Sequence, residues 1–434
     1  MSKSNHKDGS QGISLCLIAK NESFNLPRLL NSARQCADEI IVVDTGSTDN
    51  TVSIAESLGA KVFSYKWRDD FADAKNEALR QATCGWVLAL DADMEIEKGQ
   101  AQKIRAAAES RASQAFYLNI RSARADGVTV ETVAHPWLFE NHHDVKFEGK
   151  VHEAILPSLL AHYLTPRATD ICVTHFGYAT ERETLERAKR DLKILEKENS
   201  EPFTQFYLAR AHNRLGHKEK AARLLKRVVS AAKEERLRAN AYTLWMRIAC
   251  DLGDADTARQ TIKEATALFP HDRMTLIAAS DACIHLGDVA RATEFMRRAL
   301  AAPTQSAGNI EVLERNETAI RFQLAQCLTY LQSIPQAITE YQRVLAGGMA
   351  TADVYCSLGL AFSLAKDEAL AEESFKHAIK LEPQSSEAHR QLGWLYAETQ
   401  RENLARQEFS EALRLGSTDQ ELKNFKLQTT KTQI

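Results

Sequence analysis

The stretch Trp86-Val87-Leu88-Ala89-Leu90-Asp91-Ala92-Asp93 decides how the amino-terminal half of this chain is interpreted. Five apolar residues are enough for a buried strand, and two carboxylates spaced i, i+2 follow them at once. Open α/β sheets bind their ligands just beyond the carboxyl ends of the strands, where both carboxylates could converge on one point. Such a pair suits a divalent cation that carries phosphates, because Mg²⁺ prefers one or two carboxylates plus phosphate oxygens. A plain acidic turn after a strand is the competing interpretation.

Strands and helices alternate on the amino-terminal side of that stretch. Apolar runs at 13–19, 39–43 and 61–65 predict strands, and the segments 26–37, 51–58 and 74–82 between the runs predict helices. A repeat of roughly 25 residues predicts a parallel sheet with helices on both faces. Asp44 ends the second strand and would face the same crevice as Asp91 and Asp93. Because no Gly-x-Gly-x-x-Gly follows the first strand and no Walker loop is present, phosphates would have to be held through a metal.

Length and composition limit the classes of protein that fit. A chain of 434 residues is long enough for two or three domains, and a net charge of −3 gives no reason to expect nucleic acid or an anionic membrane as a partner. Eight scattered cysteines without a Cys-x-x-Cys pair predict reduced thiols. Residues 1–11 read as a mobile tail, and no apolar stretch reaches eighteen residues, so we expect a cytoplasmic protein without a membrane span.

Three short motifs in this half resemble one enzyme family. Ile-Ala-Lys-Asn-Glu (18–22), Ile-Val-Val-Asp-Thr-Gly-Ser-Thr-Asp (41–49) and Leu-Asp-Ala-Asp (90–93) together resemble the GT-A glycosyltransferases of family 2, which use nucleotide-diphosphate sugars. The segment 67–76, Trp-Arg-Asp-Asp-Phe-Ala-Asp-Ala-Lys-Asn, is similar to a bacterial branch that often carries tetratricopeptide repeats and includes the bacteriocin S-glycosyltransferases. The resemblance implies an α/β domain with a Rossmann-like nucleotide-sugar-binding sheet over residues 12–180.

The resemblance also implies a donor site. Asn21, Glu22 and Asp44 would line the nucleotide pocket, with Asp44 accepting a hydrogen bond from uracil or ribose of a UDP-sugar. Lys75 and Asn76 would lie near the diphosphate. These are expectations carried over from the family, position by position.

A metal site is implied at the Asp-Ala-Asp motif. Asp93, and Asp91 directly or through water, would hold Mn²⁺ or Mg²⁺ beside the donor phosphates. A cation there would stabilise the charge that develops on the nucleotide leaving group. Relatives commonly have Glu directly after this motif, whereas Met94 precedes Glu95 here. That departure leaves the acid pair intact and puts in doubt only an outer contact.

The base is expected in the segment Phe147-Glu148-Gly149-Lys150-Val151-His152-Glu153, which is similar to the branch motif Glu-Gly-x-x-His-Glu. An inverting transferase needs one group to take the proton of the acceptor. The resemblance places an acidic residue at about this point, so Glu153 is the predicted base, with His152 as its orienter or as the second choice. A surface carboxylate at the start of a helix is the competing interpretation of Glu153.

The remaining features of the domain are a hairpin and several histidines. Residues 115–120 and 129–133 predict strands around an Asp126-Gly127 turn. His175, near the end of a last strand, is predicted either as a further metal ligand or as a structural histidine. His135, His142 and His143 are interpreted as loop residues, because the sequence gives them no partner.

The carboxyl-terminal half has a different pattern. A charged helix at 181–200 reads as a connector, and from Pro202 a period of 34 residues relates several positions. The clearest copies are Tyr355, Leu358, Gly359, Phe362, Ala371, Phe375, Ala378 and His389, Leu392, Gly393, Tyr396, Ala405, Phe409, Ala412. This period resembles tetratricopeptide repeats and predicts an all-α superhelix of about six repeats over 201–430, with small residues where helices meet closely. The insertion Thr304–Asn316 is predicted to form a longer loop.

Three hypotheses about function stay open at this point. The first is a metal-dependent inverting glycosyltransferase whose repeats dock a protein or peptide acceptor or form a homodimer. The second is an interaction protein, a repeat scaffold whose nucleotide-binding domain is weakly active or inactive. The third keeps the enzyme and makes the acceptor a lipopolysaccharide or other cell-envelope glycan, although the chain lacks a basic amphipathic segment.

Overall fold

A computed structural model describes residues 12–110, 112–123, 129–176, 181–198, 200–303 and 317–419. The predicted tail at 1–11, the predicted turn at Asp126-Gly127 and the predicted loop at Thr304–Asn316 lie outside these ranges. The described residues form two compact units, one reaching Leu252 and the other starting at Gly253. The domain boundaries predicted at residues 180 and 200 stay predictions, since compactness alone defines these units.

The first unit contains a mixed sheet of eight strands in the order β3-β2-β1-β4-β7-β6-β8-β5. The strands are β1 (Ile13–Ala19), β2 (Glu39–Asp44), β3 (Lys61–Ser64), β4 (Trp86–Ala89), β5 (Met94–Ile96), β6 (Ala115–Ala123), β7 (Thr129–Glu140) and β8 (Cys172–His175). Pairing among β1 to β4 is parallel, as the alternating pattern predicts. Beyond β4 the sheet is mixed: the strands predicted at 115–120 and 129–133 pair antiparallel as β6 and β7, β7 pairs antiparallel with β4, and β6 pairs parallel with β8.

Five helices accompany these strands: α1 (Leu26–Ala33), α2 (Thr51–Ser57), α3 (Phe71–Gln81), α4 (Gln100–Glu109) and α5 (Leu156–Ala161). The apolar stripe of α1 is buried as its spacing predicts. Helix α3 begins three residues before its predicted start at Ala74. The reason is a side-chain cap, in which the Asp70 carboxylate accepts a hydrogen bond from the Asp73 backbone N–H.

The first unit continues through four more helices, α6 (Glu181–Leu195), α7 (Pro202–Arg214), α8 (Lys218–Ala231) and α9 (Glu235–Asp251). Helices α7 to α9 share a hydrophobic core with Ile194 and Leu195 at the end of α6. Val151 is buried in the same core, and Trp67 and Phe71 pack against it. The segment that precedes Glu153 is therefore anchored by helices that follow the sheet in the sequence.

The second unit is helical in all the secondary structure that is described for it. Its helices are α10 (Ala255–Leu268), α11 (Arg273–His285), α12 (Val289–Ala301), α13 (Glu317–Tyr330), α14 (Ile334–Ala346), α15 (Ala352–Leu364), α16 (Glu368–Leu381), α17 (Ser386–Glu398) and α18 (Glu402–Arg414). The predicted small residues lie at close helix contacts. A Cβ at Gly359 would stand 2.7 Å from the Phe375 ring, and one at Gly393 would stand 2.5 Å from the Phe409 ring.

The cysteines agree with the sequence prediction. All eight are free thiols, and seven of them are buried. Among the described residues, no helix combines the length and apolar character needed to cross a bilayer.

Candidate active site

The first unit holds a cavity of about 420 Å³ at the carboxyl ends of β1, β2 and β4. Residues that follow these three strands contribute to its wall, as expected for an open α/β sheet. Seven of the predicted site residues line it, namely Glu22, Lys75, Asp91, Asp93, His152, Glu153 and His175. The structure thus brings together side chains from five separate segments of the sequence.

Lys75 connects the acid pair to the predicted base. Its ammonium group is buried and lies 2.9 Å from an oxygen of Asp91 and 2.7 Å from an oxygen of Glu153. The rings of Trp137 and Phe147 flank it, each with its centroid 5.2 Å from Nζ. Burial by itself would lower the pKa of Lys75, but the two carboxylates outweigh burial and raise it. Lys75 therefore stays charged and fixes the relative positions of Asp91 and Glu153.

Asp93 is held by two partners, His175 and Arg187. One carboxylate oxygen lies 3.3 Å from Nε2 of His175, and the other lies 3.2 Å from a guanidinium nitrogen of Arg187. Burial of Asp93 favours its neutral form, yet His175 and Arg187 outweigh this and lower its pKa to about 2. Burial likewise acts against the charged form of His175, but Asp93 raises the pKa of that imidazole. The arrangement keeps an anionic carboxylate beside an imidazole at the wall of the cavity.

Strand β5 explains why His175 lies next to Asp93. Met94 begins this strand and is the register partner of His175 on β8, so the two segments run side by side. The Met94 side chain is buried, while Glu95 points toward Arg28 at 3.8 Å. Met94, which stands where relatives commonly have Glu, is thus a core residue behind the acid pair.

The segment with His152 and Glu153 is fixed from behind. His152 has a backbone φ of 57°, a left-handed conformation that is uncommon outside glycine, and its ring stacks on Tyr207 of α7 with centroids 3.9 Å apart. Burial lowers the pKa of His152 well below its usual value, and the positive charges of Arg210 and Arg214 add to this effect. His152 is therefore a neutral, packed side chain next to the Glu153 carboxylate.

Three predicted site residues are not among the described residues that line the cavity. The side-chain oxygen of Asn21 accepts a hydrogen bond from the Thr48 backbone N–H at 2.8 Å. Asp44 is buried and accepts from the N–H groups of the turn that follows β2. The Asn76 side-chain amide donates a hydrogen bond to the Phe147 carbonyl at 2.9 Å and accepts one from the Phe147 N–H at 2.7 Å. In this structure each of the three orders a loop, and their roles toward a donor stay predictions.

The structure adds cavity residues that the sequence analysis missed. Arg187, Arg190 and Thr184 reach the cavity from α6, which was interpreted only as a connector. Their spacing of three residues places them on one face of a helix, and that regularity was the available signal. A charged helix is usually solvated, however, and only the tertiary structure shows that Arg187 contacts Asp93, which lies 94 residues away in sequence.

The interpretation of His135 as a loop residue is wrong, whereas His142 and His143 lie in a loop after β7 as predicted. His135 lies within β7 and stacks on Trp137, with ring centroids 4.2 Å apart. Both rings project from one face of the strand because they are two residues apart. Burial lowers the pKa of His135 to about 4. His142 and His143 follow β7 and have partners, since their rings stack and His143 lies 3.0 Å from Asp144.

Comparison with known proteins agrees with this geometry. The model of the Glycosyl transferase family 2 matches residues 14–230, which is half of the chain, and a tetratricopeptide repeat model matches 244–307 and 365–419. The chain therefore belongs to glycosyl transferase family 2 and carries tetratricopeptide repeats behind the sheet domain. The predicted fold class, a GT-A α/β domain followed by all-α repeats, is confirmed.

Several curated proteins are similar to parts of the chain. A TPR repeat-containing protein of Synechococcus elongatus is 35% identical over 192 residues, which cover 42% of this chain and 47% of that protein. The SPbeta prophage-derived glycosyltransferase SunS of Bacillus subtilis is 29% identical over 238 residues, covering 52% and 56%. An uncharacterized glycosyltransferase of Rickettsia conorii is 44% identical over 93 residues, covering 21% and 33%. The chain thus spans about half the length, or less, of these relatives.

Proposed function

We propose that this protein is a metal-dependent inverting glycosyltransferase that uses a nucleotide-diphosphate sugar, with UDP as the nucleotide. The observation that carries the proposal is the convergence of Asp91, Asp93, Lys75 and Glu153 on one cavity at the carboxyl edge of the sheet. Family membership supports the reaction class, and the cavity chemistry supports the roles of the individual residues.

The donor set at the cavity fits a divalent cation. Asp91 and Asp93 offer carboxylate oxygens and His175 offers an imidazole nitrogen, which are ligands that Mn²⁺ accepts. The family commonly uses such ions. The Asp93 carboxylate is kept anionic by His175 and Arg187, which lie 3.3 and 3.2 Å from its oxygens, so a cation would bind beside or in place of these contacts. When bound, the cation would neutralise charge on the donor phosphates as the nucleotide leaves.

Proton removal from the acceptor is assigned to Glu153. Its carboxylate faces the cavity, and Lys75 holds it 2.7 Å away in a fixed orientation. His152 is the weaker candidate, because burial and nearby arginines lower its pKa and its ring is occupied by stacking on Tyr207. We therefore assign His152 to positioning the segment that carries Glu153.

Arginines complete the proposed donor site. Arg187 and Arg190 on α6, together with Arg214 on α7, contribute positive charge to the cavity wall. Guanidinium groups suit phosphate oxygens because they offer several N–H donors in a plane. In this proposal Arg187 and Arg190 of α6 would contact the diphosphate, and a bound cation would neutralise part of its charge.

The proposed acceptor is a protein or peptide, or a glycan, and the repeats are proposed to dock it or to pair two copies of the chain. Tetratricopeptide arrays present extended surfaces of the kind that bind protein segments. SunS is named as a glycosyltransferase, and its similarity over 238 residues supports the catalytic part of the proposal.

A thermal-shift experiment tests the donor site. The full chain is heated with a panel of nucleotide sugars, each with and without Mn²⁺. Saturation at 100 times the dissociation constant should stabilise the fold by about 2.7 kcal/mol. We expect a shift for one UDP-sugar that requires Mn²⁺ and disappears in Asp93→Ala. The absence of a shift with every donor would overturn the proposal and favour the scaffold hypothesis.

A further inference from the structure

We propose that His142, Asp144 and His162 form a second metal site, outside the cavity, for a late divalent transition metal such as Zn²⁺. One donor atom from each of the three residues lies within 4.8 Å of the others. Among the described residues, this group alone brings three such side chains so close together. None of the three is among the described residues that line the cavity.

The ligand chemistry selects the class of metal. Two imidazoles and one carboxylate form a set that Zn²⁺ binds, with a fourth position left for water. Tetrahedral Zn–N bonds of about 2.0 Å place ligand atoms about 3.3 Å apart. The three donor atoms lie within 4.8 Å of one another, so zinc binding would draw the side chains closer together. Mg²⁺ fits less well, because it prefers oxygen ligands in an octahedral arrangement.

One residue orients the His162 ligand from behind. The backbone carbonyl of Ser158 lies 2.8 Å from Nδ1 of His162, and a carbonyl oxygen only accepts hydrogen bonds. Nδ1 therefore carries the proton, and the Nε2 lone pair of the neutral ring is available to a metal. Metal-binding histidines usually have such a partner on the second ring nitrogen, because it fixes the tautomer and the ring orientation.

The same Ser158 holds the other two ligands in place. Its hydroxyl oxygen accepts a hydrogen bond from the Lys146 backbone N–H at 3.0 Å, which fastens the loop with His142 and Asp144 to helix α5. Within that loop the Val145 N–H donates to the His142 carbonyl at 3.0 Å, so the chain turns back on itself. The start of the loop is fixed as well, because the buried Asn141 amide donates to backbone carbonyls of Ala82 and Cys84. These contacts order the backbone that carries the three ligands. The Asp144 N–H also donates to Nδ1 of His142 at 3.4 Å and the Asp144 carboxylate lies 3.0 Å from Nε2 of His143, so a bound ion would compete with both contacts.

The proposed metal site lies at both ends of the segment that carries Glu153. The ligands lie at 142–144 and at 162, and the segment between them includes Val151, His152 and Glu153. A bound ion would close this segment into a loop of about twenty residues and restrict its conformational freedom. The proposed ion would act as a structural clamp on the segment with Glu153, and it takes no part in the reaction itself.

Isothermal titration of Zn²⁺ into the chelator-treated full chain tests this site. We expect a zinc equivalent that is retained in Asp93→Asn and lost in His142→Ala/His162→Ala, whereas any zinc bound at the cavity should be lost in Asp93→Asn alone. Asp144→Asn, at a side chain that is 49% exposed, should fold normally and weaken zinc binding by at least about tenfold. The matched control is His285→Ala, which removes an exposed histidine of the second unit and should bind zinc as the wild type does.

Two outcomes would overturn the proposal. One is equal zinc binding by the wild type and by the double variant with matching circular dichroism. The other is loss of the equivalent in Asp93→Asn, which would assign the ion to the cavity. Hydrogen exchange gives an independent measurement. Zinc should slow amide exchange in peptides that cover 145–161 of the wild type, and it should not change the exchange rate of the same peptides in Asp144→Asn.

Discussion

The cavity of the first unit and the helix contacts of the second unit are stabilised by opposite means. Around the cavity, charged side chains are buried and each is balanced by a partner, as with Lys75 between Asp91 and Glu153. At the repeat contacts, two helices pack closely only because one residue has no side chain, as where Gly393 lies against the Phe409 ring. Substitutions in the first region should therefore alter charge balance, whereas substitutions in the second should alter only packing.

The largest expected effect is on turnover, for Glu153→Gln. Removing the proposed base should reduce turnover by about 10²–10⁴-fold while the donor-induced thermal shift is retained. Steady-state transfer with the donor that the thermal-shift panel identifies is the measurement. Glu148→Gln, in the same loop, is the matched control and should keep wild-type turnover. Full activity in Glu153→Gln would remove this residue from the role of base.

The next effect concerns stability, for Lys75→Met. The substitution leaves the Glu153 carboxylate, which is 14% exposed, without its counter-charge, and loss of one partner of a buried pair costs about 3–5 kcal/mol. Asp91 is 36% exposed, so solvent screens its charge and it adds little to this cost. Urea unfolding of the first unit measures it. The double variant Lys75→Met/Glu153→Gln should recover part of the loss, because one unbalanced charge is removed as well. A change below about 1 kcal/mol would show that the charge balance described here does not stabilise the fold.

A buried carboxylate outside the cavity gives a further test of stabilisation by charge. Glu39 is buried and bonded to Lys61, Ser14 and Thr83, and although burial opposes ionisation these partners lower its pKa from 4.5 to about 2. Its carboxylate therefore adds about 3 kcal/mol to the free energy of unfolding above pH 4.5, and this is lost as the pH falls toward 2. The difference between wild type and Glu39→Gln should shrink across that interval in urea unfolding at several pH values.

The control for that experiment is Glu56→Gln, which changes an exposed carboxylate of α2. It should show the acid response of the wild type. A Glu39→Gln difference that does not vary with pH would contradict the assignment, because it would mean that packing and not charge produces the effect.

The smallest effect is expected at a repeat contact, for Gly393→Ala. The added methyl group meets the Phe409 ring at 2.5 Å, and overpacking of this kind costs about 1–3 kcal/mol. Thermal unfolding of the second unit measures it. Glu398→Ala, at an exposed position of the same helix, is the control and should stay within about 0.5 kcal/mol. Phe409→Leu added to Gly393→Ala should restore part of the loss if the clash is the cause.

The fold could largely be predicted because its signals are local. Strands β1 to β4 are buried runs of apolar residues, and the repeats are visible as a period of 34 residues. The acid pair could be singled out because it directly follows a buried strand, and His175 because the family resemblance implies a further ligand near the end of a last strand. Their roles toward a metal stay predictions. These predictions depended on residue type and on spacing along the sequence.

Contacts between distant segments could not be predicted in the same way. Arg187 reaches Asp93 only because α6 packs over the cavity. The regular spacing of Thr184, Arg187 and Arg190 indicates a shared helix face, but it does not indicate what that face contacts. His135 was predicted in a loop because the sequence pattern marks a strand only at 129–133, whereas β7 is twelve residues long and ends at Glu140. The start of α3 was missed because a capping carboxylate, and not an apolar residue, determines it.

The core that joins Val151 to helices α7 to α9 limits how this architecture can be recombined. A chimera that exchanges repeat arrays at residue 200 would remove the residues that bury Val151, Trp67 and Phe71. The transplanted sheet domain would then expose an apolar patch next to the segment that carries Glu153. An exchange after Leu252 leaves that core whole, since the first compact unit reaches this residue. The portable part of the repeat array therefore begins several helices later than the first repeat.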